Sequence, residues 1–219
     1  MAAILKTGIV QENSSSVANL TLDSSGNVTA GNNLTVTGTS TLTGAITSSG
    51  LVTGATGALY PIVNGTAQAS TSGTSITFSS IPSWVKRIVV MLNGVSTSGT
   101  SELQLQIGTS GGVQSTGYLG TWGTLTSAGV GASNATSGFL VNANGGNASY
   151  LRNGSITLSL LDLSTGLWAA QGLVGCSDNA RLSLIGGSKT LSGTLDRVVI
   201  TTVNGTDTFD AGSINIQYE

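Results

Sequence analysis

The stretch Glu102-Leu103-Gln104-Leu105-Gln106-Ile107 alternates polar and aliphatic side chains without a break. Successive side chains of an extended strand point to opposite faces, so this pattern gives one apolar and one polar face. A helix would instead repeat its apolar positions every three or four residues. The same alternation returns in Ser155-Ile156-Thr157-Leu158-Ser159-Leu160 and in Ser213-Ile214-Asn215-Ile216-Gln217-Tyr218. Working outward, residues 75–79, 85–92, 138–142, 167–176, 180–185 and 195–203 read as further strands, rich in β-branched and aromatic residues between turn-forming clusters. Asn-Gly pairs at Asn64, Asn93, Asn144, Asn153 and Asn204 read as hairpin turns. Residues 108–137, rich in glycine, read as a long irregular loop. No window carries a capped helical pattern. The chain is therefore expected to be all-β, with a jelly-roll-like antiparallel β-sandwich over residues 61–219.

Composition narrows the chemistry. Gly, Ser and Thr supply 94 of 219 residues, only 16 residues are charged, and histidine is absent. Without histidine and with a single cysteine, Cys176, neither a His-ligated zinc, a His-based triad nor a CxxC redox pair can be built. Seven cations and a net charge of −2 argue against a nucleic-acid partner, which needs a clustered basic face. The longest run of large aliphatics, Ile88-Val89-Val90-Met91-Leu92, falls far short of the ~20 residues that span a bilayer, so no membrane insertion is expected. Disordered chains of such polarity carry high net charge. Here charge is scarce and mean hydropathy is positive, which favours an ordered β-protein.

The chain is divided in character. All ten aromatic residues lie at or after Tyr60, and the 62 residues between Asp23 and Lys86 carry no charge. Ala58-Leu59-Tyr60-Pro61 breaks the earlier pattern, so residues 19–60 are read as a separate segment. Within it, Asn19-Leu20-Thr21-Leu22-Asp23 recurs fourteen positions later as Asn33-Leu34-Thr35-Val36-Thr37, and Ser25-Gly26-Asn27 reads as a turn. Each unit offers two or three aliphatics to bury, worth a few kcal/mol at ~25 cal/mol per Å². Ordering its backbone costs ~1–2 kcal/mol per residue. One copy should therefore not fold alone, and Leu20, Leu22, Val28, Leu34, Val36, Leu42 and Ile46 are expected to line an apolar axis shared with other copies. A flexible Ser/Thr/Gly linker is the competing reading.

Catalysis finds little support. Asp and Glu are the only plausible acid–base groups, and no pair of them sits in a recognisable motif; the chain is expected not to be an enzyme and to need no cofactor. Asn204-Gly205-Thr206-Asp207-Thr208-Phe209-Asp210 has spaced oxygen ligands that could hold calcium weakly around Asp207 and Asp210, but a solvated hairpin tip explains it better. Tyr118, Trp122 and Tyr150 stand in polar, Gly-rich surroundings and are candidates for contact with sugar rings; otherwise they plug the ends of the sandwich or touch a neighbouring chain.

Residues 19–57, NLTLDSSGNVTAGNNLTVTGTSTLTGAITSSGLVTGATG, resemble the repeat shafts of tailed-bacteriophage fibre proteins. Residues 81–108, IPSWVKRIVVMLNGVSTSGTSELQLQIG, resemble the start of a β-sandwich head domain found in phage fibre and virion proteins. The more specific match lies in Pro82-Ser83-Trp84-Val85-Lys86-Arg87 with Asn93-Gly94-Val95-Ser96. The resemblance implies a homotrimeric virion component that binds other virion proteins of the tail or capsid, with a docking segment at residues 1–18, a shaft at 19–60 and a head at 61–219. Ile4, Leu5, Ile9 and Val10 would then be the apolar docking residues. Such shafts are usually much longer. This one suits either a short fibre or spike that presents its head to the host surface, with a surface glycan as the candidate contact, or a capsid decoration protein; a glycan depolymerase is a third reading.

Overall fold

The computed structural model describes residues 9–10, 20–22, 24–25, 27–30, 37, 43, 52–54, 57–141 and 146–219. The chain forms two compact units, residues 1–51 and 52–219. In the first, β1 (Ile9–Val10), β2 (Leu20–Leu22) and β3 (Val28–Ala30) make a small antiparallel sheet. Ile9 pairs with Thr21 and Leu22 with Val28, and the β2–β3 hairpin turns at Ser24 and Ser25, overlapping the expected Ser25-Gly26-Asn27 turn at Ser25. The expected docking residues Ile4 and Leu5, and the axis residues Leu34, Val36, Leu42 and Ile46, lie outside the described residues.

The second unit opens with the hairpin β4 (Val52–Gly54) and β5 (Gly57–Leu59). Then follow β6 (Val63–Asn64), β7 (Gln68–Ala69), β8 (Ser75–Phe78), β9 (Arg87–Thr97), β10 (Leu103–Thr109) and β11 (Gly112–Val113). After these come β12 (Tyr118–Thr126), β13 (Gly129–Ala135), β14 (Phe139–Leu140) and β15 (Arg152–Asp162). The last four are β16 (Leu167–Cys176), β17 (Arg181–Thr190), β18 (Arg197–Thr202) and β19 (Phe209–Tyr218). Among the described residues there is no helix, and all the sheets are antiparallel.

Two sheets carry the unit. The smaller runs β11-β10-β18-β8, with β14 also on β10; the larger runs β13-β12-β17-β16-β15-β9-β19-β6, with β7 also on β19. The pairing is nested, the outer strands enclosing the inner ones: β9 with β19, β10 with β18, β12 with β17, β15 with β16. The apolar faces foreseen by alternation meet in one core. Leu103, Leu105 and Ile107 of the smaller sheet join Ile156 and Leu158, and Ile214 and Ile216, of the larger. Fully burying each such side chain is worth about 1.5–3 kcal/mol. The polar face of β10 is also covered. Gln106 Nε2 donates to the Ser137 carbonyl at 2.7 Å, and Ser137 Oγ donates to Gln104 Oε1 at 3.0 Å, so both buried amides are partnered.

Two expectations are corrected. Residues 108–137 are not an irregular loop but hold β11, β12 and β13; the β12–β13 hairpin pairs Gly120 with Ala135 through to Thr126 with Gly129. The Asn-Gly pairs are not uniformly turns. Asn204-Gly205 lies in the β18–β19 turn, but Asn93-Gly94 and Asn153-Gly154 lie inside β9 and β15. There the register shifts, and the Asn153 side-chain oxygen accepts from the Gly94 amide at 2.8 Å. Gly94, at φ 61°, forms a bulge, a second use of a backbone only glycine adopts freely.

Candidate functional site

Tyr118, at the head of β12, is 1% exposed, so its ring offers no face to a sugar. Its hydroxyl accepts from the Ile107 amide at 2.8 Å and donates to the Gln114 carbonyl at 2.8 Å. The Phe139 ring meets it edge-on at 5.0 Å, and Lys189 Nζ lies 5.6 Å from its centroid. Burial pushes its phenol up to about 12, against the opposing pull of the Ile107 N–H. Tyr118 is thus a polar pin in the core, which corrects its reading as a glycan contact.

Trp122 is half-buried on the same face of β12, opposite Ile185 and Ser133. Tyr150, also half-buried, precedes β15, which β16 and β17 separate from β12. Its ring lies 5.0 Å from the Arg181 guanidinium and 5.9 Å from that of Arg152. The predicted trio is therefore not one platform. Arg152 is fully buried, bonding the Tyr150 carbonyl at 3.2 Å and the Val95 carbonyl at 3.4 Å, and burial lowers its pKa.

The aromatic group that does assemble was not foreseen. Tyr60 stacks on Trp84 at 4.5 Å with planes 1° apart, and Trp84 meets Tyr218 at 5.9 Å. The three residues come from both ends of the unit, and no local sequence signal links them. The C-terminus is held beside them, where the Lys86 and Arg87 amides donate to the Glu219 carbonyl at 2.7 and 2.9 Å and the Arg87 side chain pairs with that of Glu219.

A cleft of about 250 Å³ opens beside the β15–β16 turn, lined by Pro82, Val85, Leu163, Trp168, Leu191 and Leu195 among others. Among the described residues no charged side chain lines it. Nearby Asp162 accepts from the Ser164 amide and hydroxyl at 2.8 Å each and from the Thr165 hydroxyl at 3.0 Å, which holds its carboxyl below the usual range. These oxygens build a turn.

Asp207 is committed likewise. It accepts from Asn204 Nδ2 at 2.7 Å and from the Ser101 amide at 2.9 Å, and these bonds hold its carboxyl low. Asn204 Oδ1 in turn accepts from the amides of Thr206 and Asp207. Asp210 belongs to β19. Among the described residues no three His, Cys, Asp or Glu side chains gather in a group able to hold a metal.

Two further acids are also tied into the fold. Asp178 accepts from the Leu151 amide at 2.9 Å and Asp196 pairs with Arg197 at 2.9 Å. The arrangement braces turns and termini. No protein-family model matches the chain, and neither does any curated protein.

Proposed function

We propose that the chain is a structural component of a bacteriophage particle: a short trimeric fibre or spike, held to the particle by its N-terminal segment and presenting the β-sandwich head to the host surface. The observation that carries this reading is the contrast between the two units. The first has described strands of two or three residues, and the second has a continuous two-sheet core. A unit that thin gains stability by joining other copies, whereas the head has the burial to fold on its own. The nested strand pairing supports a jelly-roll-like description of the head. Carboxylates spent on turns and ion pairs support a structural rather than hydrolytic role.

A capsid decoration protein is the second reading, because the same anchor–shaft–head plan serves to brace a shell. Purified particles labelled with gold-conjugated antibody to the head test both. Label at the tail supports the fibre, label spread over the capsid supports decoration, and particles free of label overturn the virion assignment.

A further inference from the structure

An Asn-Gly pair can convert itself chemically. The glycine amide gives its proton to a solvent base, its nitrogen bonds to the asparagine Cγ, and the Cγ–Nδ2 bond breaks. The leaving nitrogen takes up a proton and departs as ammonia. Water then opens the five-membered imide to aspartate, or to isoaspartate, whose backbone runs through the side-chain carbon. The sum is hydrolysis of one amide and needs no oxidant or cofactor. The glycine N–H must be free to release its proton, and the carboxamide must be free to turn towards the nitrogen. A hydrogen bond on either group opposes the step, so the fold decides which pairs react.

Of the five pairs, Asn144-Gly145 lies outside the described residues. Two others are held at both groups. The Gly65 amide donates to the Ile216 carbonyl at 2.8 Å, and Asn64 Oδ1 accepts from Gln217 Nε2 at 2.9 Å. The Gly205 amide donates to the Thr202 carbonyl at 3.1 Å, while the Asn204 carboxamide is tied to the Thr206 amide and to both the amide and the carboxylate of Asp207. In Asn153-Gly154 the carboxamide is fixed at both ends. Its Nδ2 donates to the Leu151 carbonyl at 3.1 Å and to Ser177 Oγ at 3.2 Å, and its Oδ1 accepts from the Gly94 amide at 2.8 Å. Gly154 itself lies between two strands, paired with Leu92 of β9 and Val174 of β16.

Asn93-Gly94 differs. Asn93 is exposed, and its carboxamide makes no hydrogen bond among the described residues. A Cβ at Gly94 would meet nothing within 4 Å, so the peptide is open on that side. Each requirement of the reaction is met here except release of the Gly94 proton. One hydrogen bond, to Asn153 at the register shift between β9 and β15, withholds it.

We propose that Asn93-Gly94 is a latent deamidation site and that the Asn153 carboxamide is the latch that keeps it closed. Isoaspartate at residue 93 would put a negative charge and an extra backbone carbon into β9, opposite Ser213 of β19. β9 lies between β15 and β19, so the damage falls inside the larger sheet and not at its edge. A structural chain that is not renewed accumulates such damage, and the latch sets how long the head stays intact. The inference concerns the chemistry of the head alone and stands whether or not the chain belongs to a particle.

The test is to hold the full chain in mildly alkaline buffer and follow Asn64, Asn93, Asn153 and Asn204 by site-resolved peptide mass spectrometry. In the folded wild type Asn93 should convert first of the four, and in guanidinium that order should vanish. Asn153→Ala should speed conversion at Asn93 about three- to ten-fold, the ratio that one hydrogen bond commands. Its circular dichroism and its rates at Asn64 and Asn204 should stay those of the wild type. Conversion first at another of the four, or an unchanged rate at Asn93 in the variant, overturns the proposal. So does a rise shared equally by all sites, which marks general loosening, or the same order in the unfolded chain, which would place the control in local sequence. Should the variant fail to fold, the order of conversion in the folded and unfolded wild type decides.

Discussion

The Tyr118 hydroxyl accepts a hydrogen bond from the Ile107 amide at 2.8 Å inside the core, joining the start of β12 to β10. The buried phenol resists ionisation up to about 12, above the ordinary tyrosine value near 10 that it regains on unfolding. The neutral form is the one the fold favours. Its contribution is therefore complete below about pH 10 and is lost as pH rises towards 12. Guanidinium unfolding at pH 8 and pH 11 should show a loss of about 1.4 kcal/mol from this group. Tyr118→Phe should show a correspondingly shallower decline, from a baseline about 1–3 kcal/mol lower because the Ile107 amide is left buried and unpaired. Equal pH slopes in the two proteins would contradict the assignment.

Adjacent glycines should respond in opposite ways. Gly187, at φ 150°, has the Leu119 carbonyl 2.4 Å from where a Cβ would sit, whereas Gly186 faces open space. Gly187→Ala is expected to destabilise the fold by about 2 kcal/mol or more, and Gly186→Ala to leave the melting temperature unchanged or higher. Thermal melts compare them directly, and equal losses would show that crowding is not what distinguishes the two.

Tyr60 and Trp84 should be energetically coupled. Stacked rings contribute about 0.5–1.5 kcal/mol beyond the area they bury. A double-mutant cycle on Tyr60→Ala and Trp84→Ala should return a coupling of that order, and strictly additive losses would show that the stack does not fasten residue 60 to the head.

Acid should loosen the β18–β19 turn. Asp207 is held low by Asn204 and Ser101, so its contribution is present above the normal carboxylate range and disappears as pH falls through the folded value. Between about pH 5 and pH 3 the Asp207→Asn variant should lose less stability than the wild type. An identical acid response would mean that the turn does not depend on the charge.

Legibility in the sequence followed how cleanly each strand separates its faces. β10, β15 and β19 are each apolar on one side only, and alternation located them. β12 carries Tyr118, Trp122 and Thr124 inward and Leu119, Thr121 and Leu125 outward, so both faces are mixed and no period appears. That mixing hid the β12–β13 hairpin. The Asn93-Gly94 bulge depends on which strands flank β9, and Tyr118 gained its role from an amide on another strand. Partners distant in sequence fixed both, and local pattern could not reach them.

The most direct test of the central claim, that this chain is completed by copies of itself, is its mass in solution. Sedimentation equilibrium on the intact chain should give three times the 21.7 kDa of one chain, falling towards one on removal of residues 1–51. A single-chain mass for the intact wild type at all accessible concentrations would contradict the account.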